Sequence, residues 1–204
     1  MKLNLGNNNK TKKRMSTRTI VEERPKNVAV MDVFSKLIQE RIIFIDGVID
    51  EDLANGVIAQ MLYLDSLDKK TPINIYINSP GGSCLDGLAI YDVSKVISAP
   101  IKTTCIGQAS SMGAILMLMG EERFGLPHCR IMLHEASGDM WGKTKDVSVM
   151  FKLQKEIQEE LFEIVKEKTT INPSEFSVTD KWYNSKEALE CGLITKIIKN
   201  GEKS

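Results

Sequence analysis

The sequence predicts an α/β domain with a largely parallel sheet and helical crossovers. Two observations carry that prediction. Short β-branched runs alternate along the chain with stretches whose apolar residues recur at helical spacing, the pattern of repeated strand–helix units. The length, 204 residues, suits one domain and is enough to bury a core without disulfide or metal staples. No internal repeat is visible.

Residues 1 to about 28 are rich in Asn, Lys and Arg with little periodicity, and they read as a tail, wholly or partly mobile. Val33, Leu37 and Ile38 then sit at helical spacing, and Arg41 to Ile45 is a short β-branched run. Asp50 to Asp65 carries Leu53, Val57, Ile58, Met61 and Leu62 as a helical stripe, opened by acidic residues that suit a helix N-terminus. Ile73 to Asn78 is a strand. Ser79-Pro80-Gly81-Gly82-Ser83 is expected to leave it as a loop. Leu85 to Ile97 is helical, Ile101 to Ile106 a strand, and Ser110 to Met119 a helix too apolar to face water. Arg130 to Leu133 is another strand. Thr144 to Thr169 is a long amphipathic helix with Val147, Met150, Phe151, Leu153, Ile157, Leu161, Ile164 and Val165 expected inward. Ser185 to Cys191 is a short helix stopped by Gly192, and Leu193 to Ile198 is a last strand. Residues 135 to 169 stand out as an excursion from the strand–helix alternation.

Composition removes several functional classes. Lys plus Arg is 27 and Asp plus Glu is 27, so there is no basic excess to favour nucleic acid or an anionic membrane. The longest apolar runs, such as Ile42 to Ile45 and Ala114 to Met119, fall far short of the ~18 residues of a membrane span. The polar N-terminus lacks the apolar stretch of a secretory signal. Cys84, Cys105, Cys129 and Cys191 show no paired CxxC spacing, which argues for reduced thiols in a cytoplasm and against a structural zinc site.

The chemistry centres on Gly107-Gln108-Ala109-Ser110-Ser111-Met112-Gly113, which joins a strand to an apolar helix. Ala109-x-Ser111-x-Gly113 is a relative of the nucleophile elbow, in which a tight turn presents a hydroxyl beside the N–H groups of a helix start. A polar helix N-cap is the other reading of the same residues. Only two histidines exist. His134 ends the strand Arg130 to Leu133, whereas His128 lies in a turn-like stretch and is expected at the surface. A serine nucleophile needs a base with a pKa near working pH, which histidine supplies. A hydrogen-bonded buried histidine is the bland reading of His134. Asp180 precedes Lys181-Trp182-Tyr183, and nothing local distinguishes it from a cap or turn residue. Gly81-Gly82 can aim an N–H at a developing oxyanion or can simply form a tight turn.

Taken together, Tyr76-Ile77-Asn78-Ser79-Pro80-Gly81-Gly82-Ser83, Gly87-Leu88-Ala89-Ile90-Tyr91-Asp92, Gly107 to Gly113 and Arg130-Ile131-Met132-Leu133-His134 resemble the ClpP family, the proteolytic subunit of the Clp protease. Glu40 to Phe44 upstream and Ser185-Lys186-Glu187-Ala188 with Gly192-Leu193-Ile194 downstream extend the similarity from about Glu22 to Ile198. The resemblance implies a ClpP/crotonase-like α/β fold of stacked βαβ units over residues 29–204, with a protruding strand–helix handle at about 135–169 and the tail 1–28 near an axial pore. It implies Ser111 as nucleophile, His134 as general base and Asp180 as triad acid, with backbone N–H groups of Gly82 and Met112 as the oxyanion hole. Gly81, Ser83 and Cys84 would line the substrate path, and Tyr76, Ile106, Phe124 and Leu126 the pocket that docks an unfoldase. The implied activity is a serine endopeptidase degrading unfolded proteins to short peptides inside a chamber of heptameric rings, two of them face to face. No cofactor is implied in this chain. ATP belongs to a partner AAA+ unfoldase such as ClpX, ClpA or ClpC.

Several residues depart from the family pattern. Ser110 stands where alanine is usual, so a second hydroxyl adjoins the nucleophile. Lys143 replaces a glutamine, and Val178-Thr179 an acidic–arginine pair that contributes to ring–ring contacts. Asn74 and Thr104 replace an aromatic and an aliphatic residue of the docking pocket, and Cys84 a valine beside the glycine loop. Three rival readings exist. A phosphate-binding loop ending in Gly142-Lys143-Thr144 would need its first glycine at residue 137, which is Ser137. A catalytically silent ring subunit would be expected to lack a triad member. Crotonase-like acyl-CoA chemistry has no use for an intact serine triad.

Overall fold

The computed structural model describes residues 19–24, 27–138, 142–199 and 201 of the chain. In order, the elements are β1 (Thr19–Arg24), β2 (Asn27–Asp32), α1 (Val33–Gln39), β3 (Ile42–Ile49), α2 (Glu51–Leu67), β4 (Ile73–Gly82), α3 (Cys84–Val96), β5 (Ile101–Ser110), α4 (Met112–Met117), β6 (Glu122–Gly125), β7 (Arg130–Leu133), α5 (Thr144–Lys168), β8 (Lys181–Asn184), α6 (Ser185–Glu190) and β9 (Lys196–Ile197). The architecture is α/β with a mostly parallel sheet, as the sequence predicts. β1 and β2 form a separate antiparallel ribbon. The expected tail of 1–28 is therefore too long, because paired strand structure begins by Thr19; residues 1–18, 25 and 26 lie outside the described residues.

The main sheet runs β3-β4-β5-β6-β9, all parallel, and branches at β5. The first half of β5, Lys102 to Cys105, pairs with β6, and its second half, Gln108 to Ser110, pairs with β7. β8 then pairs antiparallel with β7. One long strand thus serves two branches, and the end of the second branch carries the site described below. Ile43, Ile45, Ile73, Ile75, Ile77 and Ile131 fill the core with the buried helix α4 and one face of α2.

Several boundaries differ from expectation for physical reasons. Ser79 to Gly82 continue β4 instead of leaving it, because Gly47 and register shifts on both neighbouring pairs let Gly81 and Gly82 lie beside Val48 and Ile49. Gly82 could not hold a side chain there: a Cβ would run into the backbone of Ile49. β6 and β8 were not expected, since Glu122-Arg123-Phe124-Gly125 and Lys181-Trp182-Tyr183-Asn184 show no clean alternation. On α5 only Ile157, Leu161 and Val165 of the predicted inward stripe are buried; Met150, Phe151 and Leu153 are exposed on this single chain. Residues 134–138, the start of the expected handle strand, run without strand structure, and 139–141 lie outside the described residues.

Two arginines close off helix and turn carbonyls. Arg41 donates to the carbonyls of Leu64, Asp68 and Pro72, which caps the end of α2. Arg123, only 9% exposed, donates to the carbonyls of Gly120, Lys168, Gly192 and Leu193, tying β6 to the end of α5 and to the turn after α6. Arg123→Met strips four acceptors of their donor, and we expect a loss of about 3 kcal/mol in urea unfolding. An unchanged midpoint would contradict that bracing role.

Candidate active site

The site is built where β5 turns into α4. Ser111 has φ 55° and ψ −124°, a conformation uncommon for a residue with a Cβ and one that costs on the order of 1–3 kcal/mol. Its N–H donates to the Met132 carbonyl at 2.8 Å, so β7 holds the turn in place. Small neighbours permit the sharp corner: Ala109 is fully buried, and a Cβ on Gly113 would press on Ser79. The turn pushes the Ser111 side chain out while leaving Ser110 inside. Ser110 is 2% exposed, and its hydroxyl has no hydrogen-bond partner among the described residues.

Strand register brings the other two groups to Ser111. Ser110 pairs with Met132 across β5 and β7, so the chain two residues beyond Met132 lies alongside the elbow. His134 occupies that position, and its Nε2 is 2.7 Å from Ser111 Oγ. Leu133 pairs with Lys181 across the antiparallel β7 and β8, so the next pair outward is His134 with Asp180. Asp180 Oδ1 lies 3.9 Å from His134 Nδ1, close enough to attract an imidazolium but longer than a hydrogen bond. Three residues spread over 70 positions thus converge because β5, β7 and β8 are neighbours. His128 is exposed in its turn, as expected.

Gly81 packs directly against the elbow. A Cβ there would lie 2.6 Å from Ser111 Cβ, 2.7 Å from the Ser110 carbonyl oxygen and 3.2 Å from Met112 N. The Gly81 N–H is already bound to Ser79 Oγ at 3.1 Å, and the Ser83 N–H to the Ile49 carbonyl at 2.8 Å. Met112 starts α4, and its N–H has no intrahelical acceptor. Ser79, overlooked in the sequence, organises this arrangement: its hydroxyl also donates to the Gly47 carbonyl at 2.6 Å.

A Clp protease family model matches residues 25–201. The chain belongs to the Clp protease family. It is 42% identical over 190 residues to an ATP-dependent Clp protease proteolytic subunit of Porphyromonas gingivalis, covering 91% of this chain and 86% of that protein. A protein of the same description from Bacteroides thetaiotaomicron is 40% identical over 88% of this chain and 84% of its own length. ATP-dependent Clp protease proteolytic subunit 1 of Salinibacter ruber is 37% identical over 89% of this chain and 80% of that protein.

Beside Ser111 and His134 this Clp-family chain has a cavity walled mainly by apolar groups, among them Ile115, Leu133, Leu161, Phe162 and Phe176. Cys84 lies in the same wall, half-buried, and burial pushes its thiol above the ordinary cysteine range. Ser83 is turned to local work, its hydroxyl accepting from the Asp86 N–H at the start of α3. Of the residues for which the resemblance implies unfoldase docking, Tyr76 stands in one row with Thr104 and Phe124 across β4, β5 and β6, and Ile106 follows on the same face. Tyr76 stacks on Phe44, with ring centroids 5.6 Å apart. Tyr76, Ile106 and Leu126 are half-buried, while Phe124 is buried within the chain itself. Among the described residues, no helix is long and apolar enough to cross a membrane, and no cluster of His, Cys, Asp and Glu could hold a metal ion.

Proposed function

We propose that this chain is the proteolytic subunit of an ATP-dependent Clp protease, a serine endopeptidase that cuts unfolded polypeptides into short peptides. The observation that carries the reading is the 2.7 Å approach of His134 Nε2 to Ser111 Oγ at a strained strand–helix corner. Ser111 Oγ attacks the peptide carbonyl as His134 takes its proton. The oxyanion settles against the Gly82 and Met112 N–H groups. His134 then passes the proton to the leaving amine, and water repeats the sequence to release the acyl group. Asp180 stabilises the imidazolium and fixes its tautomer; its 3.9 Å separation closes as charge develops.

An unpartnered surface supports the chamber. Val149, Phe151 and Leu153 on the first half of α5 are 69%, 63% and 46% exposed, and burying them takes other subunits. We assign this face to a ring of identical chains, two rings enclosing the triads in a cytoplasmic particle. An ATP-driven unfoldase docks on the face of Tyr76, Ile106 and Leu126. Val147→Asp and Phe151→Asp are expected to reduce particles of several hundred kilodaltons to small species in size-exclusion light scattering. Hydrolysis of a short fluorogenic peptide is expected to fall with them. Unchanged large particles for both variants would overturn the assembly, and a wild-type chain unable to hydrolyse any such peptide would overturn the peptidase.

A further inference from the structure

His134 stands one residue beyond β7, on a segment without strand structure, yet its imidazole must stay within hydrogen-bond reach of Ser111. Among the described residues, two hydrogen bonds tie this segment to α5, and both are made at Ala136. The Ala136 N–H donates to Gln158 Oε1 at 2.5 Å, and Gln154 Nε2 donates to the Ala136 carbonyl at 2.8 Å. Gln154 and Gln158 are one helical turn apart on the same face of α5, so together they grip a single peptide unit from both sides. Gln158 is 8% exposed and lines the same cavity as Ser111 and His134. A buried amide at that place needs a partner, and Ala136 supplies it.

We propose that Gln154 and Gln158 are positioning residues, a two-amide clamp on Ala136 that fixes the backbone carrying the general base. The inference rests on His134 acting on Ser111 as described above. The clamp has a defined polarity. A backbone N–H can only donate and a carbonyl can only accept, so Gln158 must offer its oxygen and Gln154 its nitrogen. A misplacement of about 1 Å at a reacting pair can cost on the order of 100-fold in rate, so holding this segment matters to turnover more than to substrate binding.

The polarity makes the test decisive. Glutamate keeps the oxygen acceptor and discards the nitrogen donor. Gln158→Glu therefore retains its bond to Ala136, whereas Gln154→Glu sets a carboxylate against a carbonyl. Both variants add the same charge, but Gln158 is buried in the cavity of Ser111 and His134 while Gln154 is half-buried, so charge alone predicts the larger loss for Gln158→Glu, the opposite of what the clamp predicts. On the full chain, with light scattering to verify assembly, peptide hydrolysis is measured for Gln158→Glu, Gln158→Met, Gln154→Glu and Gln154→Met. We expect Gln158→Met, Gln154→Met and Gln154→Glu to lose about tenfold in kcat with KM within about twofold. Gln158→Glu should stay within about threefold of wild type in kcat. Hydrogen exchange should rise at Ala136 in Gln158→Met and remain slow in Gln158→Glu. Equal activity of the two glutamate variants overturns the clamp, even if a methionine variant fails to assemble. Ser111→Ala, run alongside, separates the two ideas: retained hydrolysis there sinks the triad, whereas lost hydrolysis with equal glutamate variants sinks only the clamp.

Discussion

Ser111→Ala is expected to lower peptide hydrolysis by about 10⁴-fold or more and to abolish covalent labelling by a fluorophosphonate. Ser110→Ala is expected to do neither. The two serines are adjacent, and the sequence places hydroxyls at both. The backbone separates them. The φ of 55° at Ser111 swings its side chain to His134, while Ser110 ends β5 facing inward at 2% exposure. Ser110 Oγ has no partner among the described residues, so replacing it with a methyl group removes a desolvated hydroxyl at no cost in hydrogen bonds. Ser110→Ala should leave labelling at wild-type rate and stabilise the chain by about 1 kcal/mol in denaturant unfolding. Labelling that survives in Ser111→Ala and disappears in Ser110→Ala would assign the nucleophile to the wrong residue and end the mechanism as drawn.

The legible parts of this fold are those with a strong local period. Ile101 to Ile106 and Arg130 to Leu133 announce strands because β-branched and apolar residues dominate them, and α3 and α5 announce themselves by stripes. β8 does not, since Lys181-Trp182-Tyr183-Asn184 gains its strand character only from pairing with β7. That is why Asp180 is singled out by family resemblance but not by its neighbours: the role proposed for it depends on being opposite His134, a fact of register. The glycine pair misled in the opposite direction. Gly81-Gly82 looks like a chain reversal, yet positive φ values there serve an extended segment pressed between Ile49 and the elbow. The first half of α5 carries an apolar stripe yet is exposed on this single chain for a related reason. A helical stripe reports that a face will be covered but not by which chain.

Gly81→Ala should be nearly as damaging to the chemistry as losing a hydrogen-bond donor, at far smaller cost to the fold than Gly82→Ala. At Gly81, φ is +97°, and an added methyl group meets Ser111 Cβ at 2.6 Å and the Ser110 carbonyl at 2.7 Å. Neither neighbour is a flexible side-chain end, so the elbow itself must move. Any shift that relieves the clash carries Ser111 Oγ away from His134 and separates Met112 N from the Gly82 N–H, disturbing nucleophile and oxyanion donors together. We expect acylation in single turnover to slow by about 100-fold or more. The melting temperature should fall by only a few degrees, since the shift is confined to the elbow and the first residue of α4 while the core beneath keeps its packing. At Gly82 the methyl group would instead strike the Ile49 backbone, which belongs to the β3–β4 ladder and cannot yield without unpairing strands. Gly82→Ala should therefore fail by unfolding or misassembly. Adjacent glycines, alike in sequence, thus predict opposite failures. Wild-type acylation by Gly81→Ala would mean that the strand end does not support the elbow, and the oxyanion hole would have to be sought elsewhere.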